Sequence, residues 1–313
     1  MDTPGDKKKV FDRFSKAIEA LEKQRKSRIF CMLHTSPPAH ICGPEIFELI
    51  MNRRKLENID TLEVLIHSPG GHADPAYKLM RYFRRKAKKV NVIVPLLAKS
   101  AATLMCLGAD AIFMGELAEL GPLDVQLSDP VETGEKSLSP LNEFKSMEFL
   151  ADHAIEVLDL FSSVMQDRYG MSVRDSLSEM IPCVTAMMKP LYEAVDPLIM
   201  GEHRRDLAVG EQYAKRLLMS TGNAHVDDIV HRLVWDYPSH EFDIDFEEAK
   251  TLQLPVEQLP VKQADSLVDL IMELGHHDIS YTGFVSSVAA KPHAVPRKRK
   301  LPVGEGSKKA AVA

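Results

Sequence analysis

Two short stretches of the 313-residue chain hold residue types that could do chemistry: "HSPGGHADPAY" at 67–77 and "AKSAATLMC" at 98–106. The first places Gly70 and Gly71 directly after an apolar run. Glycine permits positive φ and lets a ligand come close to the main chain, so this turn can offer N–H groups to an anion. The second places the hydroxyl of Ser100 at the first turn of an apolar, helix-forming run. As plain structure, the glycines make a tight strand-to-helix turn and Ser100 is an N-cap. As chemistry, a hydroxyl in the positive end of a helix dipole, followed by the small Ala101 and Ala102, is an unblocked nucleophile with oxyanion donors beside it. The stretches are not nucleotide motifs, because no GxGxxG or Walker pattern occurs.

The surrounding pattern says how these residues would be held. Apolar positions Val10, Phe11, Phe14, Ala17, Ile18 and Leu21 recur at helical spacing over 7–27. "RIFCML" reads as a buried strand, "PEIFELIMNR" as a helix opened by Pro44, and "TLEVLIHS" as a second strand. "PAYKLMRYFRRKA" is an amphipathic helix, "KVNVIVPLLA" a third strand, "SAATLMCLGA" a helix and "AIFMG" a short strand. Strands alternating with helices predict an α/β domain with a mainly parallel sheet. In such a sheet the ends of successive strands lie side by side, so the glycine turn and Ser100 would meet, as acyl transfer requires.

Beyond about residue 130 the character changes. "VETGEKSLSP" is a polar loop, 140–169 a long helix, and further helical pattern covers about 172–220 and 223–234. "HEFDIDFEEAKTLQL" adds a short strand and an acidic helix start. The expected organisation is a single domain over 1–284, with an α/β core at about 28–128 and a helical part at about 140–284. The tail, 285–313, is basic, contains Pro and Gly, lacks periodicity and is expected to be disordered.

Composition narrows the function classes. The chain is 45% hydrophobic and 27% charged, with a net charge of −6 and mean hydropathy −0.15. An acidic balance argues against a general nucleic-acid binder, and no apolar run is long enough to span a bilayer. The N-terminal residues show no apolar core of a signal peptide, so the expected location is cytoplasmic. Four cysteines without CxxC spacing read as reduced thiols. Twelve histidines include His67 and His72 beside the glycines, the pair His276-His277, and His240, but no HExxH or comparable metal spacing accompanies them. They read as solvated or capping residues.

The two motifs, with the segment "AKSAATLMCLGADAIFMGELAELGPLD" that follows, resemble the Clp-protease/crotonase superfamily of serine peptidases. Within it they are similar to the serine dehydrogenase proteinase family, relatives of the signal peptide peptidase A enzymes. The resemblance covers about residues 28–128, with an echo in "FEEAKTLQLPV". It implies a Clp/crotonase-like spiral of βαβ units with a helical C-terminal half. By the same resemblance Ser100 is the nucleophile and the N–H groups of Gly71 and Ala101 are the oxyanion-hole donors. Gly70 and His72, with Asp74, would border the substrate. No cofactor or metal is implied. The implied substrate is a peptide or unfolded protein, and the implied assembly is a homo-oligomer.

The base is less defined. The Clp proteolytic subunit uses a histidine after its serine, whereas "LDVQLSD" has none here. Signal peptide peptidase A relatives use a helical lysine, which points to Lys145 in "LNEFKSMEFL", with Lys136 as the rival. A lysine serving as base must be neutral, which requires apolar burial. Lys99, although next to the serine, is expected to point away from it. Two alternatives stay open: a crotonase-type acyl-CoA enzyme, and a catalytically inactive oligomeric scaffold on the same fold.

Overall fold

A computed structural model describes residues 4–35, 40–43, 46, 59–123 and 140–285. The helix expected at 44–53, the polar loop with Lys136, and the basic tail lie outside these residues, apart from Ile46, Pro140 and Val285. The main sheet is built from β1 (Arg28–Leu33), β2 (Ile59–His67), β3 (Ala87–Val94) and β5 (Ala111–Met114), all parallel. β7 (Val256–Gln258) joins β5 in parallel, and β8 (Tyr281–Phe284) runs antiparallel to β1. The order is β7-β5-β3-β2-β1-β8. This is the mostly parallel α/β architecture that the alternation predicts.

Both faces of the sheet are covered, which is why its strands read as continuous apolar runs rather than alternating ones. One face presents Phe30, Met32, Val64, Ile66, Val92 and Val94 to α2 (Ala73–Lys86), α3 (Ala101–Cys106) and α6 (Pro197–Thr221). Phe30 packs against Phe83 of α2 and Phe284 of β8, with ring centroids 5.0 and 5.1 Å apart. Burying rings of this size stabilises the fold by about 2–3 kcal/mol each. The opposite face presents Ile29, Cys31, Leu33, Leu65 and Ile93 to α1 (Pro4–Arg25) and α9 (Val261–His276). α1 contributes Val10, Phe14, Ile18 and Leu21, and α9 contributes Ala264, Leu267, Ile271 and Leu274. These are two stripes at three- and four-residue spacing.

A buried charge cluster ties α1 to the sheet. Glu63, with 2% of its side chain exposed, takes two hydrogen bonds from Arg25 at 2.7 Å and one from Ser27 at 2.6 Å. The Arg25 guanidinium also lies 4.2 Å over the Phe113 ring.

The expected third strand is in fact two. Pro95 interrupts it, having no N–H for the ladder, and the chain resumes as β4 (Leu97–Ala98), paired in parallel with β6 (Glu119–Leu120). Single bridges extend this small second sheet: Ile41 with Gly71, Ser68 with Ala98, and Leu120 with Ile244. The chain thus leaves the C-terminal ends of β2 and β3 and re-pairs one step further on. Ser68 N–H donates to Leu97 O at 2.9 Å, and Lys99 N–H donates to Ser68 O at 3.1 Å. That re-pairing sets the glycine turn against the Lys-Ser corner.

The helical pattern after residue 140 resolves into α4 (Pro140–Tyr169), α5 (Val173–Glu193), α6, and α7 (Val226–His231), which runs into a wide turn at 232–236. α5 and α6 are separated at Asp196, whose carboxylate caps Leu198 N–H at 2.8 Å, with Pro197 in the first turn. Phe144 at the start of α4 meets Trp235 at 6.2 Å. Further along, α4 and α5 pair with each other and leave Phe149, Ile155, Leu160 and Ile181 exposed. α8 (Phe246–Thr251) leads to β7. No described helix is long and apolar enough to cross a membrane.

Candidate active site

Ser100 sits where β4 turns into α3, with φ 49° and ψ −114°. Positive φ is uncommon for a residue with a side chain and costs about 1–3 kcal/mol unless the surroundings over-determine it. The hydroxyl does not cap α3, and among the described residues it has no hydrogen-bond partner. The capping alternative for Ser100 therefore fails. The helix is instead held by Ala102 N–H on Lys99 O at 2.9 Å and Leu104 N–H on Ser100 O at 3.0 Å. Inside α3, Thr103 Oγ donates to Ala98 O at 2.7 Å and accepts Gly121 N–H at 2.9 Å, clipping helix to strand.

Lys99 turns away from the serine. Its Nζ meets the Phe242 carbonyl at 3.2 Å, Glu119 at 3.5 Å, and the Asp243 carboxylate. Gly121 makes room for it, since a methyl there would lie 2.7 Å from Lys99 Cδ. Burial and the nearby Asp243 raise the Glu119 pKa, whereas the Lys99 hydrogen bond lowers that of Asp243. The corner that carries Ser100 is thus anchored one residue upstream by an ion cluster.

The glycine turn closes on the same corner. A methyl on Gly70 (φ 119°) would lie 2.8 Å from Ser100 Cβ and 3.0 Å from Lys99 O. A methyl on Gly71 (φ 136°) would lie 2.5 Å from Ile41 N and 2.9 Å from Ile41 C. Only glycine fits either position. Ile41 brackets Gly71, donating to Gly70 O at 2.7 Å and accepting His72 N–H at 2.8 Å. The Gly71 N–H therefore points away from Ile41. Neither it nor the Ala101 N–H has a backbone acceptor among the described residues. A narrow cleft is lined by Gly71, Ala73, Ser100, Ala101, Leu104, Leu123 and Gly210. Ser100 and both N–H-bearing residues line that cleft, an arrangement that can set a hydroxyl beside donors for an oxyanion.

The profile of the ClpP-like SDH-type serine proteinases matches residues 4–162. The chain belongs to that family. Among curated relatives, the uncharacterized protein MJ0137 of Methanocaldococcus jannaschii is 27% identical over 183 residues, covering 53% of this chain and 64% of the relative. The uncharacterized protein MJ1495 of the same organism is 28% identical over 121 residues, covering 36% and 41%. The chain thus spans less than two thirds of the length of either. The family match takes in both motifs and most of α4, the element that carries Lys145.

Lys145 does not meet Ser100 through a hydrogen bond among the described residues. Its Nζ donates to the Tyr237 carbonyl at 2.6 Å, at the end of the wide turn after α7. That turn borders the site through Leu233, whose carbonyl accepts the N–H of the cleft residue Leu123 at 2.8 Å. Lys136 lies outside the described residues. His72 precedes α2 with an exposed ring 5.9 Å from that of His40. Asp74 bonds Lys78 and accepts the Tyr213 hydroxyl at 3.0 Å, while Tyr213 stacks on Tyr77 at 4.1 Å. It therefore fastens α2 to α6. His276 and His277 close α9 with rings 5.3 Å apart.

No metal-ligating group of three side chains occurs among the described residues. Cys31 and Cys106 are free and buried, and burial pushes the Cys106 thiol up to about 12 and that of Cys31 higher still, so neither is a nucleophile at neutral pH. Sequence reasoning missed Leu123 and Gly210, which reach the cleft from distant elements. It also missed a buried pair behind the glycine turn, His34 and Ser68. The only local signals for these two are a histidine ending the run "CMLH" and the serine opening "SPGG".

Proposed function

We propose that this protein is a serine peptidase that cleaves peptide bonds through an acyl-enzyme on Ser100. The observation that carries the reading is the strained, uncapped Ser100 sharing one cleft with Gly71 and Ala101, whose N–H groups have no backbone acceptor among the described residues. Strain of this kind is retained where function needs it. Ser100 Oγ attacks the scissile carbonyl carbon, and the displaced π electrons become an oxyanion held by the two N–H groups. The serine proton passes to a base and then to the leaving amine as the C–N bond breaks. Water, deprotonated by the same base, then releases the acyl group.

Lys145 is the proposed base. Its Nζ is held by the Tyr237 carbonyl beside the turn that borders the cleft, which places the amine on the side of the site from which it would act. Gly70 and His72 border the substrate path, and the chemistry needs no cofactor. The exposed apolar side chains on α4 and α5 support homo-oligomerisation through that helical pair.

A fluorophosphonate probe tests the reading. Labelling of the wild type that Ser100→Ala abolishes supports it, and Lys145→Ala against Lys136→Ala assigns the base by the larger loss of rate. Folded wild-type protein that resists the probe while turning over an acyl-CoA would favour the crotonase-type chemistry. Inertness to both would leave the scaffold.

A further inference from the structure

The buried pair behind the glycine turn has a geometry that bears on the oxyanion site. Ser68 is fully buried and His34 is 7% exposed. Ser68 Oγ lies 2.9 Å from His34 Nδ1, accepts the Gly70 N–H at 3.2 Å, and lies 3.3 Å from Gly70 O. Its single proton goes to His34 Nδ1 or to the Gly70 carbonyl, according to the histidine tautomer. Gly70 O also accepts from Ile41 N–H at 2.7 Å. Both polar ends of Gly70 are therefore tied down by hydrogen bonds.

A trans peptide holds its C=O and N–H antiparallel. Fixing Gly70 O toward Ile41 and Ser68 therefore aims the Gly71 N–H the opposite way. Glycine resists such fixing less than any other residue, and two in succession would otherwise sample many peptide orientations. Backbone pairing at Ile41 supplies one restraint, and the Ser68 hydroxyl supplies the second, on the other side of Gly70. His34 N–H is itself bonded to His67 O at 2.8 Å, so its ring is based on the rigid ends of β1 and β2.

We propose that His34 and Ser68 form a buried strut that aims the Gly71 N–H at the oxyanion, making them positioning residues for acyl transfer at Ser100. The proposal rests on the serine-peptidase reading. Neither side chain lines the cleft, so both act through the Gly70–Gly71 peptide. Removing the strut should slow the covalent step without weakening the encounter that precedes it. A misplacement of about 1 Å at a catalytic donor can cost on the order of 100-fold in rate.

The test follows fluorophosphonate labelling of the full chain as a rate at saturation and a half-saturating concentration. In this reaction Ser100 Oγ bonds to phosphorus, fluoride leaves with its bonding pair, the serine proton passes to the base, and charge develops on the phosphoryl oxygen. Ser68→Ala should lower the saturating rate about 10- to 100-fold with the half-saturating concentration within twofold and the melting midpoint within a few degrees. His34→Leu should behave alike, whereas His34→Gln, which keeps a hydrogen-bonding group, should retain at least a third of the wild-type rate. An unchanged saturating rate in folded Ser68→Ala overturns the strut, as does a change confined to the half-saturating concentration. If Ser68→Ala does not fold, His34→Leu against His34→Gln decides, and equal rates overturn it. An unlabelled wild type, or labelling that survives Ser100→Ala, overturns the peptidase reading and the strut with it.

Discussion

Gly71→Ala tests how the site is built. The added methyl would stand 2.5 Å from Ile41 N and 2.9 Å from Ile41 C, roughly 1 Å inside normal contact, and both neighbours are backbone. The φ of 136° adds about 1–3 kcal/mol for any residue with a Cβ. Overpacking against main chain adds about 1–3 kcal/mol more. If the loop stays seated, the fold loses about 2–6 kcal/mol, and the melting midpoint falls by roughly 4–24 °C at about 2–4 °C per kcal/mol. If the loop lifts off instead, the loss is limited to the two Ile41 hydrogen bonds, about 1 kcal/mol each, but the Gly71 donor leaves the cleft. Labelling of Ser100 should then fall about 100- to 1,000-fold. Calorimetry and probe kinetics on the same sample separate the two routes. Gly43→Ala is the control, because a methyl there meets nothing within 4 Å. A Gly71→Ala protein with both wild-type melting and wild-type labelling would refute the account of the turn.

Three further outcomes follow from the same geometry. Arg25→Met leaves the buried Glu63 carboxylate without its cation and should cost about 3–5 kcal/mol in urea denaturation, with Arg25→Met/Glu63→Leu recovering most of it. Ser100→Gly should abolish labelling yet raise stability by about 1 kcal/mol, because glycine tolerates φ 49°, whereas Ser100→Ala should abolish labelling without that gain. Burial, reinforced by His34, holds the His67 pKa down to about 4, so the unfolded chain binds this proton at higher pH than the folded one. Stability from His67 is then complete above about pH 6.5 and declines as pH falls toward 4, by up to about 3 kcal/mol. Urea midpoints across that window should flatten in His67→Phe, and an unchanged slope would refute the assignment.

The sequence carried the first half of the fold well because its signals are local. "RIFCML" is β1 to the residue, and from "TLEVLIHS" to "AIFMG" the expected alternation of strands and helices is present, with the third strand split in two. The glycine turn and Ser100 were legible because successive parallel strands end side by side. Three things were not. Pro95 splits the third strand, a consequence of one missing N–H inside an otherwise uniform apolar run. The segment after residue 255 gives β7, α9 and β8, although the stripe Ala264, Leu267, Ile271 and Leu274 was present to be read. The return of β8 to pair beside β1 is a long-range choice that no local pattern encodes. The base candidate exposes the same boundary: helical periodicity puts Lys145 on α4, but the Tyr237 carbonyl that receives it is 92 positions away. His34 and Ser68 were overlooked because a buried hydroxyl and imidazole look like any polar strand end until their partners are known.

The two outermost strands of the main sheet, β7 and β8, come from the last part of the described chain. During synthesis, the segments bearing Ser100 and the glycine turn emerge long before residues 256–258 and 281–284 can cover β5 and β1. For that interval a four-stranded parallel sheet has both flanks bare, with main-chain donors and acceptors that another nascent chain could pair with. At about 5–20 residues per second the interval lasts on the order of ten seconds or more. Ribosome-bound chaperones would thus have most to shield in a chain whose Ser100 and glycine-turn segments are already made.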